Sequence, residues 1–172
     1  SVAEIQRVTT DEEDTFAEIL RCRVSSPADL PTLTALKQRL RAHHIFTPLA
    51  VQVTDPTQIS PELLAVADKL NVPFDGSLDL KPLLSQSQPI TVQFDLVADS
   101  PAGLVTACER LVAASALFRT NQVLVAIGNV EGIDVIGAYR ILAAVLDQHG
   151  VILPILLRDR VSSRQAQHAT SR

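Results

Sequence analysis

The chain of 172 residues contains no methionine and no tryptophan, and aromatic residues make up only 3% of it. Its core must therefore be built from leucine, valine, isoleucine and alanine, a composition typical of helices packed on a buried sheet. Few aromatic residues also argue against an RNA-binding module, because such modules stack bases on exposed rings. Since even position 1 is not methionine, we expect a processed chain or a segment excised from a longer protein.

Clusters of positive charge and long apolar runs are missing as well. Lys and Arg number 15 against 19 Asp and Glu, the formal net charge is −4, and the basic residues are scattered. Binding to nucleic acid depends on clustered cations, so we expect no nucleic-acid partner. No apolar run approaches the roughly 18 residues of a membrane span, and the start of the chain is unlike a signal peptide. These features predict a cytoplasmic protein with no membrane partner.

Only two cysteines are present, Cys22 and Cys108, and they lie far apart in the sequence. Two thiols alone do not complete a zinc or iron–sulfur site, so we expect no metal and no cofactor in this chain. Their number favours a reducing compartment over a disulfide scaffold. Cys108 falls in a predicted helix and is interpreted as a core residue. Cys22 lies on a predicted strand between Arg21 and Arg23, whose side chains alternation places on the opposite face.

The motif Ser-Pro-x-x-Leu occurs three times, at residues 26–30, 60–64 and 100–104. Serine can cap the free N–H groups of a helix, and proline is preorganised for the first helical position. Each copy is therefore predicted to open a helix. The predicted helices, with two that lack the motif, are 27–43, 61–70, 101–118, Ile133–Gln148 and Asp11–Glu18.

Short β-rich runs alternate with these helices, and several are continuously apolar, which is typical of strands buried on both faces of a parallel sheet. The predicted strands are Val2–Val8, Ile19–Val24, Pro48–Thr54, Ile90–Val97, Val123–Ile127 and Val151–Leu157. Pro154 makes the last of these an edge strand or a bulged one. The pattern predicts an α/β fold of alternating β-α units with a mostly parallel sheet, either a partial or TIM-like barrel or an open three-layer sheet. We expect one domain over 1–160, a long connection at 72–88, and a polar tail or linker at 161–172.

Acidic residues follow or end several predicted strands, and parallel sheets bind ligands at the carboxyl ends of their strands. Asp95, Asp99 and Glu131 are the candidate catalytic residues, because converging carboxylates can bind Mg²⁺ or transfer protons. The preferred interpretation is structural, since Asp also favours turns and caps. The stretch "GNVEG" at 128–132 matches no phosphate-binding motif. We interpret it as a tight turn that needs a positive φ, with acids that complement the dipole of the next helix.

Two stretches, "IQRVTTDEEDTFAEILRC" with "ALKQRLRAHHIFTPLAVQVTDP", and "VLVAIGNVEGIDVIGAYRILAAVLDQHGVILPILLRDR", resemble the 4-hydroxy-3-methylbut-2-enyl diphosphate synthase (IspG/GcpE) family of isoprenoid biosynthesis. The second is similar to the end of the domain inserted in the long, plant-type members. The family's cluster-binding cysteines have no counterpart here, and Pro48–Val53 stands where its barrel strand carries Asp and His.

The resemblance implies a non-catalytic spacer domain, part of an oxidoreductase but not catalytic by itself, which docks on neighbouring domains of a longer polypeptide. Leu117 with Phe118, or the 72–88 connection, would form the docking patch. The alternative is a small-molecule-binding or hydrolytic α/β domain that uses the acidic strand ends. A third possibility is an interaction module that assembles as a homo-oligomer through the edge strand near Pro154.

Overall fold

A computed structural model describes residues 6–8, 19–85, 90–120 and 122–157 of the chain. Strands and helices alternate along it, so the predicted α/β fold is confirmed. The strands are β1 (Gln6–Val8), β2 (Ile19–Val24), β3 (Leu49–Val53), β4 (Lys69–Phe74), β5 (Thr91–Ala98), β6 (Gln122–Val130) and β7 (Ile155–Leu157). The helices are α1 (Asp29–Ala42), α2 (Pro61–Val66), α3 (Leu80–Leu84), α4 (Pro101–Ala113) and α5 (Val135–Gln148), with 3₁₀ turns at Pro56–Gln58 and Ser115–Thr120.

The strands lie in the sheet in their chain order, β1 to β7. The pairing of β1 with β2 is antiparallel, and β2 to β7 form six parallel strands. Right-handed crossovers that all step in one direction place every helix on the same face of a sheet. Accordingly, buried residues of all five helices join one core cluster with one face of the sheet. The fold therefore has two layers, one sheet and one layer of helices, and its strands follow the order expected for a partial barrel. The three-layer alternative is wrong.

The face that the helices cover is apolar from β2 to β6. Its central row consists of residues paired in register and at most 5% exposed, namely Cys22, Val51, Leu70, Val92 and Val123. On the same face, Phe74 and Phe94 lie in successive rows, and their ring centroids are 5.3 Å apart. In the continuous apolar run of β6, Val125, Ala126 and Ile127 are at most 1% exposed, as expected for a strand buried on both faces. Burial alternates along β4, where no strand was predicted.

Two of the three Ser-Pro motifs open a helix as predicted. The hydroxyl of Ser60 accepts a hydrogen bond from Leu63 N at 3.2 Å, and that of Ser100 accepts one from Gly103 N at 3.1 Å. The motif at 26–30 differs, because α1 begins later, at Asp29, and has no side-chain cap. There the Asp29 carboxylate accepts hydrogen bonds from the backbone N–H groups of the two preceding serines. The Asp29 carboxylate therefore holds the turn that precedes the helix, and no side chain caps the helix itself.

The structure corrects the start of the expected connection at 72–88, whose later part contains the short helix α3. The helix expected over 61–70 ends at Val66, and the chain then forms the central strand β4. Pro73 is tolerated in this strand because the ladder with β3 ends at Asn71, so Pro73 pairs only with β5. Proline lacks an N–H group and is confined to positions where a ladder can spare one.

The remaining boundaries agree with the predictions in part. Gly132 and Gly150 adopt positive φ angles of 77° and 64°, as expected for the turn before α5 and for its C-terminal end. Strand β7 is short and follows Pro154, at the edge of the described sheet. Within the described residues, none of the helices has the length and apolarity to cross a membrane. The predicted helix Asp11–Glu18 and the tail 161–172 lie outside the described residues.

Candidate functional site

A polar trough occupies the face of the sheet that the helices leave uncovered. It encloses a cavity of about 460 Å³. The residues that line the trough come from β2, β3, β4, β5 and β7, and they are Arg21, Cys22, Arg23, Ala50, Gln52, Lys69, Asn71, Gln93, Leu156 and Leu157. This volume lies within the range of about 300–1,000 Å³ that is usual for small-molecule sites.

Curvature of the sheet creates the trough. In a flat sheet β2 and β7 would lie about 24 Å apart, because neighbouring strands are spaced by about 4.8 Å. Side chains of both strands nevertheless line one cavity. The sheet is therefore bent like part of a barrel wall, with its helices on the convex side and the trough on the concave side.

Positive charge is concentrated on the β2 and β4 walls of the trough. Arg21 and Arg23 are exposed, and Lys69 is half-buried. Among the described residues that line the trough, none carries a carboxylate, and neither guanidinium has an ion-pair partner in the described part of the chain. The trough is thus locally positive although the whole chain has a formal net charge of −4. Such a concave positive surface concentrates small anions from solution.

A row of side-chain amides crosses the floor of the trough. Gln52, Asn71 and Gln93 are paired in register on three neighbouring strands, and Arg23 ends the row on β2. Gln93 is only 2% exposed, and its Nε2 donates a hydrogen bond to Asp95 Oδ1 at 2.8 Å.

Asn71 differs from Gln93 in its hydrogen bonding. Its Oδ1 is shielded from solvent and accepts no hydrogen bond from the described residues. More than about 90% of buried polar groups have a partner, and an unpaired one costs about 1–3 kcal/mol. Asn71 therefore contains a shielded acceptor that no described residue satisfies.

Both cysteines are free thiols buried in the core. Burial raises the pKa of Cys22. Burial, and to a smaller extent the negative charge of Glu109, raises the pKa of Cys108 to about 12. Reactive cysteines need a lowered pKa, so both prefer the neutral thiol form. The predicted placement of Arg21 and Arg23 on the face opposite Cys22 is confirmed, because both guanidinium groups are exposed in the trough while Cys22 is buried.

The three acidic candidates fall into two places. Asp99 and Glu131 are exposed and follow Ala98 and Val130, which are paired in register, so they lie at adjacent strand ends. Asp95 lies in β5 itself, four residues before Asp99, which is about 13 Å of extended strand. Within the described residues, no group of three His, Cys, Asp or Glu side chains is placed to hold a metal ion.

The trough was missed in the sequence because its members are spread over five strands. The available signal was alternation, as in "RCR" at 21–23 and in "KLN" at 69–71, where polar side chains flank a buried one. The sequence alone does not show that these residues share one wall, because this depends on the strand order and register. Comparison of the chain with protein-family models, with curated proteins and with solved structures finds no match.

Proposed function

We propose that this chain is a ligand-binding α/β domain and that its trough holds a small anionic molecule. The observation that supports it is the cavity of about 460 Å³ lined by Arg21, Arg23 and Lys69 together with three side-chain amides. Guanidinium groups bind phosphate and carboxylate through paired, charge-assisted hydrogen bonds. A cationic, amide-lined cavity suits a ligand that carries negative charge and further polar groups.

The proposal keeps the small-molecule alternative from the sequence but moves its site. The acidic residues Asp99 and Glu131 lie at exposed strand ends, where they stay candidates without a specified ligand. The trough lies along the strands and not at one end of them, since its lining includes Lys69, the first residue of β4, and Leu157, the last residue of β7. Binding in the trough would therefore depend on the walls of the sheet and not on the loops that follow the strands.

Titration with inorganic phosphate tests the proposal. Amide resonances of β2 to β5 should shift as phosphate is added at constant ionic strength. The double variant Arg21→Gln/Arg23→Gln should bind at least about tenfold more weakly, because hydrogen bonds to charged groups contribute about 1.5–3 kcal/mol each. As a matched control, Arg39→Gln/Arg110→Gln removes the same charge from exposed helix positions. Equal weakening in both double variants would show a general charge effect and refute the proposal.

A second proposal follows from the resemblance to the diphosphate synthase family. In it, the chain is a non-catalytic spacer domain of a cytoplasmic oxidoreductase of isoprenoid biosynthesis, docked on neighbouring domains or on a second copy. The favouring observation is an exposed apolar edge at β7, where Ile152 is 96% exposed and Leu156 and Leu157 are 43% and 49% exposed. Leu117 and Phe118, which the sequence suggested as the docking patch, are half-buried and pack against the core.

The genomic reading frame tests this second proposal. A frame that continues beyond the chain into a domain with cluster-binding cysteines would support the spacer role. A frame that encodes this domain alone would refute it. The two proposals are independent, because an inserted domain can also bind a ligand.

A further inference from the structure

We infer that the outer face of α5 binds a second copy of the chain, with the two α5 helices packed antiparallel about a twofold axis. This face lies on the convex side of the sheet, away from the trough, so pairing there is independent of the binding function. Three features of the face support such pairing: its exposed apolar residues, its small central residues and its two opposite charges.

The outer face of α5 and the segment after it expose large apolar side chains. The residues of α5 that are buried in the core are Ala138, Leu142, Val145 and Leu146. Ile136 lies opposite this buried row and is 49% exposed, and Tyr139 lies beside Ile136 and is 39% exposed. Ile152, which follows the helix, is 96% exposed. Single exposed apolar residues are normal, but several that adjoin on one surface indicate a contact with another molecule.

Small side chains occupy the middle of this face. Ala143 follows Ile136 by seven residues, which is close to two full turns, so both lie on the same side of the helix. Ala144, the next residue, is exposed. Interaxial distances of packed helices are about 8–10 Å and depend on the side chains at the contact. The alanines therefore allow a second helix to approach closely at the centre of α5.

Two opposite charges flank these alanines. Arg140 and Asp147 are both exposed, and neither side chain has an ion-pair partner among the residues that the structure describes. They are also seven residues apart, and their midpoint lies between Ala143 and Ala144. In an antiparallel pair of α5 helices centred at this midpoint, Arg140 of each copy lies opposite the partner's Asp147. The twofold axis therefore creates two attractive charge contacts from one pair of residues.

The same arrangement covers the apolar residues. Ile136 lies as far before the midpoint as Val151 lies after it, so the partner's segment with the exposed Ile152 comes next to Ile136. A twofold interface requires one surface that is complementary to itself. The outer face of α5 meets this requirement in both charge and apolar contact, which favours a second copy over a partner of different sequence.

Sedimentation equilibrium of the full chain measures the pairing. One helix of 14 residues offers an interface at the small end of the range of specific complexes, so we expect a dissociation constant of about 10–100 μM. Arg140→Glu alone and Asp147→Arg alone each place like charges at both contacts. Each variant should dimerise at least about tenfold more weakly than the wild type.

Mixing these two variants is the decisive step. In a dimer of one Arg140→Glu chain with one Asp147→Arg chain, both contacts join opposite charges again, so the mixture should dimerise within about threefold of the wild type. The double variant Arg140→Glu/Asp147→Arg should do the same on its own. Arg39→Glu reverses an exposed charge on α1 and is the matched control, which should leave the dimer unchanged.

A wild type that stays monomeric over this concentration range would overturn the inference. Weakening by both single variants without recovery in the mixture would also overturn it, because damage to the fold or a general charge effect does not reverse on mixing. A dimer that is insensitive to both variants would place the contact on another surface and refute the pairing through α5. Titration with phosphate is a separate readout, and Arg140→Glu should bind phosphate as the wild type does, so the trough and the dimer can fail independently.

Discussion

Replacing the unpaired amide of Asn71 by an apolar side chain should stabilise the ligand-free protein. Asn71 Oδ1 is shielded and accepts no hydrogen bond from the described residues, whereas its neighbour in register, Gln93, donates to Asp95 at 2.8 Å. Asn71→Leu keeps the branching at Cγ and removes a polar atom that costs about 1–3 kcal/mol when unpaired. Asn71 is half-buried, so we expect the lower end of this range, about 1 kcal/mol of added stability.

Gln93→Leu is the matched control, because it makes the same type of substitution at an amide that has a hydrogen-bond partner. It removes a hydrogen bond to a carboxylate, which contributes about 1.5–3 kcal/mol, and it leaves Asp95 with one donor fewer. Part of this loss is offset by the apolar area that leucine buries at a position only 2% exposed. The expected net change is about 1 kcal/mol of lost stability, with a sign opposite to that of Asn71→Leu.

Urea unfolding followed by far-ultraviolet circular dichroism, in buffer without phosphate, measures both changes. The slope of the unfolding free energy against urea should be the same for the wild type and both variants, so that a shift in midpoint reports stability alone. The melting temperature should move by about 2–4 °C per kcal/mol for a chain of this size. The reasoning is refuted if Asn71→Leu lowers the free energy of unfolding, or if both variants change it in the same direction.

Three further predictions concern other groups. The native protein should react with a thiol reagent near pH 8 far more slowly than the unfolded chain, because burial raises the pKa of Cys22 and of Cys108, the latter to about 12; one thiol that reacts at the unfolded rate would contradict this. Asp29→Asn should flatten the loss of stability in acid: backbone N–H groups of the preceding turn lower the pKa of Asp29, so its contribution is present above the unfolded pKa of about 3.9 and disappears as the pH falls through the folded value. An unchanged acid profile for the variant would count against that role. Asp68→Ala should cost about 1–2 kcal/mol in urea unfolding, because Asp68 Oδ2 accepts a hydrogen bond from Leu49 N at 2.8 Å, and Asp68→Asn should retain most of that stability. Equal losses in these two variants would show that the bond to Leu49 is unimportant.

Local signals in the sequence predicted the elements of the fold better than their arrangement. The caps at Ser60 and Ser100 and the turn at Gly132 depend on a few neighbouring residues, and the structure confirms them. The central strand β4 was missed because its start continues the apolar pattern of α2 and because Pro73 argues against a strand. Pro73 is tolerated because the ladder with β3 ends before it, and the sequence does not show where β3 ends.

The same limit explains why the trough was not predicted. Alternation around Cys22 correctly placed Arg21 and Arg23 on one face. The same argument applied to β3, β4 and β5 would place Gln52, Asn71 and Gln93 on that face, but it requires the order and register of four strands. The acidic candidates were chosen by a rule about strand ends, which does not consider the walls of the sheet.

A polar uncovered face does not by itself indicate a binding site, because any sheet covered by helices on one side must present polar groups to water on the other. Such a solvated face is expected to mix charges of both signs and to keep its amides wet. The trough departs from this in two ways. Its described lining carries cations without a carboxylate, and Asp95, the carboxylate on the same face, is held by Gln93. Its floor also contains an amide only 2% exposed beside a shielded acceptor on Asn71 without a described partner. A second copy of the chain placed on the trough would bring the same cations close together, and repulsion between like charges disfavours this arrangement. These departures support the proposal that the trough binds an anionic small molecule and not a second copy of the chain.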